Sequence, residues 1–90
     1  MSEQGRKVYV PVVVSFRDDG VMIPLYLRWE DGRQYKIDRI RHITPAPALK
    51  AGGQGDRYTI VVNGFERFLF FERSAESEGR RLGRWFLERK

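Results

Sequence analysis

The sequence predicts an all-β fold: a small curled antiparallel sheet, or partly open barrel, of five to six strands built on two central hairpins. Three observations predict it. Apolar and β-branched residues alternate with a period of two over several short runs, as half-buried strands require. Turn signals separate those runs at hairpin spacing: Asp18-Asp19-Gly20, Glu30-Asp31-Gly32 and Asn63-Gly64. The chain has 90 residues, and a chain of that size buries roughly 60–65 % of the surface its unfolded form exposes. It therefore forms one domain, spanning 1–90, with one core and no second.

The elements follow in order. Residues 1–6 are polar and read as a frayed lead. Lys7 to Arg17 alternates, with Val8, Val10, Val12, Val14 and Phe16 on one side and Tyr9, Pro11, Val13 and Ser15 on the other. That is a strand, and Pro11, which lacks an N–H, places it at an edge or at a bulge. Val21 to Thr44 then reads as two strands folded around Glu30-Asp31-Gly32. A two-residue Asp-Gly turn would set Leu27 opposite Lys36 and mix polar with apolar groups. A three-residue loop, with Gly32 left-handed after a type I turn, sets Leu27 opposite Tyr35 and Leu25 opposite Ile37. Burial of one face normally selects the register, so the second arrangement is expected. Pro24 suggests an edge or an irregular entry to the first of these strands.

After Ile37 the pattern slips. Ile37, Ile40 and Ile43 are spaced by three, which strict alternation cannot turn inward together. A bulge near Asp38-Arg39, or a single helical turn, would repair it. Residues 44–56, with two prolines and three glycines, read as a flexible loop. Arg57–Val62 and Phe65–Arg73 form a second hairpin around Asn63-Gly64. Its two-residue turn pairs Val62 with Phe65, Ile60 with Arg67 and Tyr58 with Leu69 on one face. The other face pairs Val61 with Glu66, Thr59 with Phe68 and Arg57 with Phe70. Residues 74–83 are a polar connection. In the tail, a strand reading places Trp85 and Leu87 on one face. A helical reading over residues 82–90 gathers Leu82, Trp85 and Phe86, but Gly79 and Gly83 would weaken that helix.

Taken together, Trp29-x-x-Gly-Arg-x-Tyr35, Gly55-Asp56-x-Tyr58, Phe68 to Glu72 and Gly83-Arg-Trp-x-Leu-Glu-Arg89 form a pattern covering roughly Val10 to Arg89. It resembles a small uncharacterised bacterial β-domain family, a domain of unknown function. The resemblance implies a small β-domain found alone or beside larger proteins, some similar to lesion-bypass DNA polymerases. It implies no catalytic residue.

Composition narrows the function classes. The absence of Cys removes disulfides, thiolate metal sites and cysteine nucleophiles together. His42 is the single histidine, so no His-pair metal site exists, and the adjacent acids Asp18-Asp19 and Glu30-Asp31 are accounted for by turn chemistry. Ser15, Ser74 and Ser77 lack a nucleophile context such as Gly-x-Ser-x-Gly. Gly52-Gly53-Gln54-Gly55 lacks the Lys-Ser/Thr that would make it a phosphate loop. The expectation is a protein that is not an enzyme, with no cofactor and no metal. No apolar signal core and no apolar run of about 20 residues is present, so a cytoplasmic, bacterial-type protein without a membrane partner is expected.

Seventeen basic residues against twelve acidic leave a net charge of +5, and thirteen of the seventeen are Arg. Arginine suits phosphate and aromatic stacking. Small β-domains bind single-stranded nucleic acid with aromatic platforms beside basic residues. The candidate residues for nucleic-acid binding are Tyr26 for stacking and Arg28, Lys36, Arg41 and Arg57 for phosphate. The alternative is a protein interface or a homodimer, built on Val8, Val10, Val12, Val14 and Phe16 of the edge strand with Phe68 and Phe70. One contiguous basic face would favour nucleic acid; an apolar face rimmed by arginines would favour protein.

Overall fold

The computed structural model describes residues 6–45, 56–73 and 82–89. Eight strands make up its regular structure: β1 (Arg6–Val10), β2 (Val12–Phe16), β3 (Met22–Arg28), β4 (Gln34–Lys36), β5 (Arg39–Thr44), β6 (Asp56–Val62), β7 (Phe65–Arg73) and β8 (Gly83–Arg89). They form a five-stranded antiparallel sheet in the order β1-β8-β7-β6-β5 and a three-stranded antiparallel sheet in the order β2-β3-β4. The fold is all-β, a curled pair of sheets not closed into a barrel.

Eight strands replace the expected five to six because two long runs each break where the chain changes sheet. The first break is Pro11. It interrupts the valine run, leaving β1 on the edge of the larger sheet and β2 on the edge of the smaller one. Proline has no N–H to give a ladder, but its carbonyl still accepts the Arg28 N–H at 3.1 Å. The second break lies at Ile37-Asp38. Ile37 donates its N–H to Leu25 in the small sheet, whereas Asp38 donates its own to Val61 in the large sheet.

This second corner explains Pro24. Asp38, which would continue β4 alongside Pro24, has already left for the other sheet, so only β2 lies beside the proline. A bulge adjoins it: Val13 pairs with Tyr26 and Val14 with Pro24, leaving Leu25 as the extra residue. The spacing of three isoleucines has the same kind of origin. The corner at Asp38 separates Ile37 from Ile40. A bulge at Arg41 separates Ile40, opposite Ile60, from Ile43, opposite Tyr58. Two irregularities, rather than one near Asp38-Arg39, turn Ile37 and Ile40 into the core and set Ile43, opposite Tyr58, at its exposed margin.

Both hairpins adopt the expected registers. In the first, Leu27 faces Tyr35, and Gly32, at φ +84°, closes a three-residue loop with its N–H on the Trp29 carbonyl at 2.9 Å. In the second, Val62 faces Phe65 and all the anticipated pairs are present. Asn63 and Gly64 both take positive φ, as a two-residue type I′ turn demands. The tail is a strand: Trp85 pairs with Phe71 on one side and Val10 on the other. Arg6 already pairs with Arg89 and Thr44 with Arg57, so the lead and the loop are shorter than 1–6 and 44–56. Residues 1–5, 46–55 and 74–81 lie outside the described residues.

The core sits between the sheets. Tyr58, Ile60, Leu69, Phe71, Trp85 and Leu87 from the large sheet meet Leu27 and Ile37 from the small one, with Val12, Val14 and Trp29 packed around them. Tyr58 also crosses the gap with a hydrogen bond from its hydroxyl to the Met22 carbonyl, 2.9 Å long. The larger sheet carries apolar groups on its outer face as well. Tyr9, Phe86, Phe70 and Arg57 stand in one row across β1, β8, β7 and β6. Within it Phe86 and Phe70 are buried, their rings stacked at 4.9 Å, and Tyr9 meets Phe86 edge-on at 5.6 Å.

Candidate functional site

The two sheets pack core to core, so the domain has two outer faces, and they differ in charge chemistry. On the small sheet, β2, β3 and β4 contain no acidic residue at all. Cross-strand register sets Val13, Tyr26 and Lys36 in one row, with Arg28 one step along opposite Gln34. Side chains on alternate residues share a face, so Tyr26, Arg28 and Lys36 point outward together. Arg28 and Lys36 are exposed, and neither forms an ion pair among the described residues. Tyr26 is 36 % exposed and Val13 53 %. The result is an aromatic and aliphatic strip beside two cations without an ion-pair partner among the described residues.

The outer face of the large sheet has cations too, and all but Arg39, which stands opposite Val61 and forms no ion pair among the described residues, are engaged. Arg41 pairs with Glu66 at 3.2 Å. Arg57 lies over the Phe68 ring at 4.6 Å, Arg84 over Tyr9 at 3.9 Å and Lys7 over Phe86 at 4.8 Å. Glu72 gathers the last two: it accepts the Tyr9 hydroxyl at 2.7 Å and Lys7 Nζ at 3.5 Å, with Arg84 at 3.9 Å. The Tyr9 hydrogen bond, and then the Lys7 charge, hold the Glu72 carboxyl below the ordinary carboxylate range. Burial pushes the Tyr58 hydroxyl above the usual tyrosine range, with the nearby Asp56 acting in the same direction.

The five residues predicted to contact nucleic acid therefore divide. Tyr26, Arg28 and Lys36 come together on the small sheet. Arg41 and Arg57 lie on the opposite side of the domain, because the chain changes layer at Ile37-Asp38. The residues assigned to an apolar interface divide as well. Val10 is buried in the core and Val8, Val12 and Val14 turn toward it, whereas Phe16 is exposed. Phe68 is exposed and Phe70 is buried. The uncovered apolar residues of that edge are thus Val13 and Phe16.

A further feature escaped the sequence reading. Between the turn at 30–32 and the turn at 63–64, one end of the two-layer fold opens into a cleft of about 340 Å³. Trp29, Tyr35, Phe65 and Arg67 line it over an aliphatic floor of Leu27 and Leu87. The signal was present in the aromatics flanking both turns, but only the folded arrangement brings the two turns to one end. Among the described residues no group of three or more His, Asp and Glu side chains stands close enough to hold a metal ion. No helix of the described residues is long and apolar enough to cross a membrane. Compared with known proteins, the chain matches no family model, no curated protein and no solved structure.

Proposed function

We propose that this domain is a non-catalytic binding module for single-stranded nucleic acid, with the outer face of the three-stranded sheet as its contact surface. The observation that carries the reading is the acid-free strip on which Tyr26, Arg28 and Lys36 converge. A single strand needs a π surface for its bases and unpaired cations for its phosphates, and this face offers both in adjacent rows. On the other face Lys7, Arg41, Arg57 and Arg84 are already matched by Glu66, Glu72 and aromatic rings, so a polyanion would have to displace those partners and would meet Arg39 as the one unmatched cation among the described residues. The motif likeness to domains found beside lesion-bypass polymerase-like proteins agrees with this direction.

The test is a comparison of alanine variants by anisotropy with a labelled oligonucleotide. Arg28→Ala and Lys36→Ala should each lower the salt dependence of binding by about 0.7 in the log–log slope, the value for one single-strand phosphate contact. Tyr26→Ala should weaken binding by about 1–3 kcal/mol, the worth of one stacked base. Arg41→Ala and Arg57→Ala should change neither. Equal losses on the two faces would refute the choice of surface. One observation favours a second reading: β2 is an edge strand bearing exposed Val13 and Phe16, and such an edge pairs readily with another strand. A concentration-dependent dimer, abolished by Val13→Lys, would select it.

A further inference from the structure

The cleft between the two hairpin turns has the volume and lining of a ligand site, and it opens at the turn end of the hairpin whose outer face carries Tyr26, Arg28 and Lys36. Trp29 and Tyr35, which alternate with those residues, line it from the inner side. Trp29 follows Arg28 in the chain. At about 3.3–3.4 Å per strand residue, its position lies roughly 10 Å from that of Tyr26. Pockets of about 300–1,000 Å³ lined by aromatic groups with a few polar ones are where small planar ligands bind, and this one measures about 340 Å³. Phe65 is 70 % exposed at its mouth, an unusual fate for phenylalanine in a small soluble domain.

The polar groups decide what enters. Aromatic walls suit either a methylated ammonium, held by ring quadrupoles, or a nucleobase, held by stacking. A cation site needs negative charge to spare. Asp31 is the acidic group in the lining, and with Arg67 in the same lining the cleft carries no net negative charge. Asp31 Oδ1 accepts the Arg33 N–H at 2.9 Å and Oδ2 the Tyr35 hydroxyl at 3.2 Å. Its role is to lock the turn and hold the Tyr35 ring in place. Arg67, by contrast, lines the cleft, is exposed and makes no ion pair among the described residues. Asn63 stands at the rim with an amide that can both donate and accept, as a base edge requires.

We infer that the cleft lined by Trp29, Tyr35 and Phe65 receives an unpaired nucleobase, with Arg67 on the adjoining phosphate. The inference rests on the single-strand reading of the neighbouring face and gives that reading a terminus, where the strand passes from the open sheet into a pocket.

The experiment titrates the full chain with labelled oligothymidine of about ten nucleotides, and with the same backbone carrying abasic sites. Phe65→Ala should weaken oligothymidine binding by about 5- to 150-fold, the range for one lost stacking partner. It should leave abasic binding unchanged. Arg67→Ala should reduce the salt slope by about 0.7 for both ligands. Phe65 and Arg67 are exposed, so both variants keep the core, and amide spectra verify the fold. If both variants bind like the wild type while Arg28→Ala weakens binding, the cleft is not a base site and the sheet-face reading stands. If the wild type binds no oligonucleotide, both readings fall. If tetramethylammonium shifts the Trp29 indole resonance and oligothymidine leaves it in place, the cleft is a cation site and the inference is overturned.

Discussion

Replacing Phe86 by Ala tests whether the larger sheet is covered on both sides. Phe86 points away from the main core, yet it is wholly buried. It stacks on Phe70 at 4.9 Å with rings 9° from parallel, meets Tyr9 at 5.6 Å and lies under Lys7 Nζ at 4.8 Å. Truncating an enclosed Phe to Ala costs about 3–5 kcal/mol. Two favourable ring pairs, each contributing about 0.5–1.5 kcal/mol beyond area, place this site toward the upper end, at about 4–5 kcal/mol. Small domains are stable by about 5–15 kcal/mol, so the variant should sit near its unfolding threshold. With about 4–8 °C per kcal/mol for a domain of this size, Tm should fall by at least about 15 °C. Urea titrations of Phe86→Ala and the milder Phe86→Leu, followed by Trp fluorescence, measure the loss directly. The midpoint should move with the slope unchanged. A loss below about 1 kcal/mol would show that the Tyr9-Phe86-Phe70 row is an exposed decoration rather than a second core, and would refute the reasoning.

Two further outcomes follow from the same pair of strands, β7 and β8. A Cβ on Gly83 would run into the Glu72 carbonyl oxygen and lie 2.7 Å from Phe71 Cζ and 3.1 Å from Arg73 Cα. Much of that is backbone, which cannot step aside, so Gly83→Ala should cost about 1–3 kcal/mol as an overpacked site. A change under about 0.5 kcal/mol in the denaturation midpoint would contradict the close β7–β8 approach. Glu72 should make stability pH-dependent. The Tyr9 hydroxyl and Lys7 favour its ionised form in the folded state, so the unfolded chain takes up that proton more readily. Its contribution is therefore complete above the ordinary carboxylate range and is lost as pH falls through it. The stability gap between wild type and Glu72→Gln should be present at pH 7 and close progressively as pH falls below the ordinary carboxylate range. A constant gap across that interval would remove the assignment.

Much of the fold was legible because turn chemistry and burial agree locally. Glu30-Asp31-Gly32 and Asn63-Gly64 each admit one turn that buries one face, and the register follows. The corners were less legible. Pro11 announces an interruption but not that the chain then joins another sheet. The three isoleucines after the first hairpin announce a slip in phase, yet one bulge, one helical turn or the observed corner plus bulge would each produce it. That ambiguity reached the site. Tyr26, Arg28 and Lys36 were correctly grouped because they lie within one hairpin of known register. Arg41 and Arg57 were misgrouped with them because their side of the domain depends on the corner at Asp38. The end cleft was invisible for a similar reason: Trp29 and Phe65 are 36 residues apart and meet only through the packing of two sheets.

The most direct measurement is the affinity of the wild-type chain for a labelled single-stranded oligonucleotide at about 50 and about 200 mM salt. With Arg28 and Lys36 each releasing about 0.7 of a counterion, the fourfold rise in salt should weaken binding about sevenfold or more. A duplex of the same sequence should bind less tightly, because its stacked bases cannot reach Tyr26. Affinity that is absent at the lower salt, or indifferent to the change, would contradict the account and leave the basic surface without a polyanionic partner.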